Sequence, residues 1–109
     1  MSTRATYKFI SNRHNTDTTL YIHHDGYPSG AAYYFSKGTD VESFIRNNER
    51  AEIIQNHEAH ADTEYRYTQI TGDGFASEVF TVHNKSDLGI WNLIYSGTLK
   101  EFIKLEGNI

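Results

Sequence analysis

An alternating strand that runs straight into a turn and a proline is the strongest constraint in this chain. From Thr18 to His24, Leu20, Ile22 and His24 fall on one side while Tyr21 and His23 fall on the other, the period of a half-buried β-strand. Asp25-Gly26 then turns the chain, and Pro28, which has no amide hydrogen, argues against a central strand following at once. Any fold must therefore end a strand here and leave it by another kind of element. The run Tyr21-Ile22-His23-His24-Asp25-Gly26-Tyr27-Pro28-Ser29-Gly30 also gathers two imidazoles, a carboxylate and two phenols around one bend, more chemistry than a structural turn requires.

The remaining elements follow from period and capping residues. Ala5 to Ser11 alternates, with Tyr7 and Phe9 opposite Lys8 and Ile10, and the polar stretch Asn12 to Asp17 joins it to Thr18–His24 as a hairpin. Ser29 can cap a short helix from Gly30 to Lys37, with Ala31, Tyr34 and Phe35 on one face and Gly38 as its stop. Thr39-Asp40-Val41-Glu42 has the order of a capping box, so a second helix is expected from Asp40 to Asn47-Asn48, burying Val41, Phe44 and Ile45. Short strands are expected at Ala51–Gln55, Glu64–Thr71, Glu78–Asn84 and Ile90–Tyr95, with Gly72-Asp73-Gly74 turning between the second and third. Thr98-Leu99-Lys100-Glu101 repeats the capping box before a helix whose Leu99, Phe102 and Ile103 share a face. Because consecutive strands on short turns pair antiparallel, the expectation is a single α+β domain over 1–109. Its twisted antiparallel sheet would have about five to six strands, with short helices packed on one face.

Composition excludes several functions. The net charge is −4, and the ten Lys and Arg are scattered, so direct nucleic-acid binding through phosphate neutralisation is not expected. Fourteen acids against ten bases make too weak a field for a mimic of DNA. With no cysteine, disulfides, thiolate metal sites and a cysteine nucleophile are all ruled out, and the chain fits a reducing cytoplasm. No basic-then-apolar leader opens it and no apolar run approaches the ~20 residues of a bilayer span, so the expectation is a cytoplasmic protein without membrane insertion.

Three kinds of chemistry compete for the polar residues. The six histidines form two clusters, His23-His24-Asp25 and His57, His60 and Asp62, whose imidazole and carboxylate donors would suit zinc, manganese or iron. Against a metal, neighbours on a strand point to opposite faces, and His57-Glu58-Ala59-His60 lacks the four-residue spacing of the zinc-protease helix. No metal and no cofactor is therefore expected. Acid–base catalysis by His and Asp at the turn is open, yet no nucleophile elbow, phosphate loop or dinucleotide fingerprint accompanies it. The eight tyrosines and one tryptophan are the third candidate. Tyr21, Tyr27, Tyr33, Tyr65 and Tyr67 are expected away from the main apolar side, where phenols serve as interface contacts, and Arg66 between two tyrosines is expected to stack on its neighbours.

The order His24-Asp25-Gly26-Tyr27-Pro28, then Gly30-Ala31-Ala32-Tyr33-Tyr34-Phe35, with the segment from His57 to Tyr67 downstream, resembles a family of small uncharacterised proteins carried by phages, prophages and plasmids. The likeness spans roughly positions 5 to 71. It implies a mobile-element origin and an accessory or anti-defence role, including an anti-CRISPR one, without assigning catalytic residues. The leading expectation is a non-catalytic binding protein whose partner is a host defence protein or a small signalling ligand. Its functional edge would be His24, Asp25 and Tyr27, joined by His57, His60 and Tyr65 from a second segment lying alongside. The alternatives are a small metal-dependent or His/Asp hydrolase acting on a nucleotide signal, and a homodimeric structural protein paired through an edge strand.

Overall fold

A computed structural model describes residues 3–12, 15–48, 50–59, 62–72 and 78–107. The chain opens with the hairpin β1 (Ala5–Ser11) and β2 (Thr16–Ile22), then leaves the sheet for helices α1 (Pro28–Lys37) and α2 (Val41–Arg46). It returns as β3 (Glu52–Ile54), makes a 3₁₀ turn at His57–Ala59, and completes the sheet with β4 (Tyr65–Thr71), β5 (Val79–Lys85) and β6 (Trp91–Gly97) before α3 (Leu99–Gly107). One six-stranded sheet results, in the order β3-β2-β1-β4-β5-β6.

The α+β class stands as expected, but the sheet is mixed rather than wholly antiparallel. β4 lies beside β1 and runs parallel to it, with Tyr7 opposite Tyr67 and Phe9 opposite Gln69. The antiparallel expectation assumed short turns throughout, whereas the chain between β2 and β4 carries α1, α2, β3 and the 3₁₀ turn. A connection of that length can bring a strand to the far side of β1 in either direction. Every other neighbouring pair is antiparallel, and β5 and β6 slip register between Val82 and His83, where Tyr95 and Leu93 are consecutive partners and Ile94 is left between them.

Helix boundaries follow their caps. α1 begins at Pro28, before the expected Gly30, because proline at the first helical position needs no amide hydrogen and already holds a helical φ. α2 is capped one residue later than the Thr39 box implies: Asp40 accepts from the Ser43 amide at 2.8 Å and from the Ser43 hydroxyl at 3.0 Å. α3 keeps the threonine half of its box, with Thr98 Oγ1 accepting from the Glu101 amide at 3.1 Å, while the Glu101 carboxylate accepts from the Thr98 hydroxyl at 2.9 Å. Phe44, Leu99 and Phe102 are buried as expected, whereas Ile45 is exposed. The Gly72-Asp73-Gly74 turn reaches into residues 73–77 and lies outside the described residues.

All three helices cover one face of the sheet. Tyr7, Phe9, Leu20, Ile22, Tyr67, Phe80 and Val82 on the strands meet Ala31, Ala32, Phe35, Phe44, Leu99 and Phe102 there. The cluster is held largely by aromatic contacts: Tyr7 stacks on Tyr67 with ring centres 5.0 Å apart and planes 11° from parallel, and Phe35 meets Phe80 edge-on at 5.2 Å. The expectation for Tyr67 is thus reversed, since it is wholly buried in this core, and Tyr65 shares its face. Alternation alone separates Tyr65 and Tyr67 from Arg66 but does not say which side the helices will cover. On the second face Arg66 lies over Trp91 at 3.9 Å rather than on its tyrosine neighbours, which point through the sheet to the other side. Among the described residues no helix is long and apolar enough to cross a membrane.

Candidate functional site

The end of β2 is fixed from both sides. Gly26 is buried against β1, its amide donating to Thr3 O at 2.9 Å and its carbonyl accepting from the buried Tyr67 hydroxyl. A side chain at Gly26 would put its Cβ 2.6 Å from the Ala5 Cβ, so glycine is needed here for close approach. Positive φ, which an Asp-Gly turn commonly places on the glycine, belongs here to Asp25 at +56°, in the left-handed region that Asp tolerates better than most residues. The first turn of α1 clamps that residue: a Cβ on Gly30 would lie 2.1 Å from the Asp25 carbonyl oxygen.

This backbone aims two polar side chains and one carbonyl at a single phenol. The Tyr34 hydroxyl on α1 sits 3.0 Å from His24 Nδ1, 3.4 Å from Asp25 Oδ2 and 3.4 Å from the His24 carbonyl. Tyr27 donates to Asp25 Oδ1 at 3.4 Å, and His24 Nδ1 lies 3.7 Å from Asp25 Oδ2. Burial, then the nearby Asp25 carboxylate, pushes the Tyr34 phenol up to about 12, so it remains a neutral donor at ordinary pH. Around this network lies a shallow depression of about 230 Å3 between Asp25, Tyr27, Tyr33 and Tyr34. Its two outer phenols stand in solvent, Tyr27 at 42% and Tyr33 at 60% exposure, and Lys37 reaches over the Tyr33 ring at 5.3 Å.

His57 goes elsewhere. The 3₁₀ turn crosses the second face, where Thr6 Oγ1 lies 2.6 Å from His57 Nδ1 and Thr68 Oγ1 lies 3.0 Å from Nε2. Burial, then the positive charges of Arg66 and Lys8, pulls this imidazole down to about 4, with Glu58 opposing. Thr6 and Thr68 alternate with the core tyrosines, so His24 and His57 address opposite faces of the sheet. The link between the two segments is Tyr21, buried on the second face, whose hydroxyl donates to Asp62 at 3.1 Å beside an Arg4–Asp62 ion pair at 3.3 Å. His23 is on that side too, 3.2 Å from Glu52 and edge-on to Tyr21.

Of the six residues singled out from sequence, His24, Asp25 and Tyr27 come together. His57 lies on the second face. Tyr65 lies on the helix-covered face, half-buried beside Tyr67, and His60 is outside the described residues. No group of three His, Asp or Glu side chains among the described residues could hold a metal ion. Sequence reasoning missed Tyr34 as the hub, because its place beside Ala31 and Phe35 on α1 marked it as core. Its signal was the phenol itself, which needs a partner where it meets a packed helix. No protein-family model, curated protein or solved structure matches the chain.

Proposed function

We propose that the protein is a non-catalytic binding protein of a mobile element, which blocks a host defence component by covering part of its surface with the Tyr27–Tyr33 edge. The observation that carries this reading is the pair of exposed phenols beside a backbone held from both sides. Tyrosines presented on rigid elements supply large contact area with little entropy to lose, the chemistry of interface anchors. The imidazoles point the same way, since His57 is taken up between two threonines and His24 holds Tyr34. A depression of about 230 Å3 also falls below the ~300–1,000 Å3 of small-molecule sites, which favours a protein partner over a sequestered ligand at this edge. The anti-defence role rests on the resemblance of the His24–Pro28 run and its flanks.

Phage plating on hosts carrying a defined CRISPR–Cas or other defence system, with and without this protein, tests the role. Wild type should restore plating against one of the systems. Tyr27→Ala and Tyr33→Ala, shown to be folded, should abolish the effect through weaker partner binding by ~2 kcal/mol, while His24→Gln should largely keep it. No rescue against any system tested would reject the anti-defence role. Loss of activity in His24→Gln at unchanged partner affinity would promote a His/Asp hydrolase instead.

A homodimer is the second reading, favoured by β6. This seven-residue edge strand carries no charged side chain and exposes Leu93 at 56% and Ile94 at 47%, without the charges that usually guard an edge. Sedimentation velocity across a concentration series distinguishes a monomer from a β6-paired dimer.

A further inference from the structure

On the helix-covered face, beyond the start of α2, the sheet is left open as a cleft of about 680 Å3, within the ~300–1,000 Å3 of small-molecule sites. Its chemistry is one-sided. Asp40, Glu42 and Glu78 contribute carboxylates, Phe9 and Val41 contribute apolar surface, and no Lys, Arg or His is among its described lining residues. Asp40 is held ionised, because the Ser43 amide and hydroxyl bonded to its carboxylate keep it below the usual carboxylate range.

Gln69 gives the cleft an independent mark. It is a lining residue only 6% exposed, and its amide nitrogen donates to Glu78 Oε1 at 2.8 Å. That bond fixes which end of the amide is which, and the carbonyl Oε1 is then left buried with no donor among the described residues. Buried polar atoms are nearly always satisfied, so an acceptor in this state beside an open cleft is where an outside donor belongs. The Glu78 carboxylate accepts a single described bond and can take a second from the same group.

We propose that this cleft binds a small molecule carrying a primary ammonium group on a short apolar body. The ammonium donates to Gln69 Oε1 and Glu78, with Asp40 and Glu42 supplying further negative charge, and the body rests on Phe9 and Val41. An ammonium has three donors and no acceptor, matching a lining that offers acceptors and negative charge.

Titration of the ¹⁵N-labelled full chain with phenethylammonium, 2-phenylethanol and 3-phenylpropionate tests this by NMR. The amine should shift the Gln69 side-chain amide and the Val41 and Glu78 backbone signals, while the alcohol of the same shape binds roughly tenfold or more weakly and the carboxylate not at all. Gln69→Leu and Glu78→Gln should each weaken the amine by roughly tenfold. Thr16→Lys places an ammonium on the exposed rim of the cleft itself. It should displace the added amine without disturbing the core, which keeps the test decisive if Gln69→Leu does not fold. Equal binding of amine and alcohol, no shift of these signals at amine concentrations on the order of 10 mM, or amine binding indifferent to Thr16→Lys would each overturn the assignment.

Discussion

The neutral imidazole of His57 makes stability depend on pH in a defined direction. In the unfolded chain a histidine takes up its proton near pH 6.5, whereas in the fold burial and the cations Arg66 and Lys8 hold His57 at about 4. Between those values the unfolded state binds a proton that the native state refuses, so stability is fully present above pH 6.5 and is lost as pH falls toward 4. From pH 7.5 to 4.5 the loss comes to about 2 to 3 kcal/mol, at 1.36 kcal/mol for each pH unit of the window. Urea unfolding at both pH values, for wild type and for His57→Gln, isolates this contribution from that of the carboxylates, which titrate in both proteins. Wild type should lose about 2 kcal/mol more than the variant over this range. Parallel losses would show that His57 titrates normally and that its place between Thr6 and Thr68 does not exclude the charged form.

Two further substitution pairs test the packing around the turn. Gly26→Ala, which forces a Cβ to within 2.6 Å of the Ala5 Cβ, should cost about 1–3 kcal/mol by thermal unfolding, while the exposed Lys104→Ala stays within ~0.5 kcal/mol; equal melting curves would remove the steric role of Gly26. The Tyr7 hydroxyl is buried with no partner among the described residues, so Tyr7→Phe should be neutral or stabilising by about 1 kcal/mol. Tyr67→Phe strips the Gly26 carbonyl of its phenol donor and should destabilise by about 1–3 kcal/mol; if both Phe variants melt alike, that hydrogen bond contributes nothing.

What the sequence made legible is what local period and local chemistry encode. The alternation of Tyr7 and Phe9 against Lys8, and of Tyr65 and Tyr67 against Arg66, needs only the pleat, and the Thr98 cap needs only one helical turn, whereas the Thr39 box marked the start of α2 to within a residue of its true cap, Asp40. The parallel pairing of β1 with β4 was not legible, because it is set by how a long connection folds back. The same holds for Tyr67, whose neighbours are chosen by α1 and α3 from distant parts of the chain. His57 and His24 sit in stretches of similar composition, and nothing local tells that the 3₁₀ turn crosses the second face while Tyr34 returns over the first. Gly26 is the instructive middle case: the turn was readable from Asp-Gly, but the need for glycine comes from Ala5 on another strand.

The turn and the core are therefore one mechanical unit. Tyr67 stacks on Tyr7 at the centre of the aromatic cluster and spends its hydroxyl on Gly26, one residue before Tyr27. Gly30 presses on the Asp25 carbonyl from the other side, so the left-handed Asp25 is held by its surroundings rather than by its own preference. A contact residue on such a backbone has less freedom to surrender on binding than one on a free loop, which turns core packing into affinity. On this account Tyr67→Phe, though buried, loosens the platform under Tyr27 and should weaken partner binding together with stability, whereas Tyr7→Phe leaves both the Gly26 anchor and the partner contact intact.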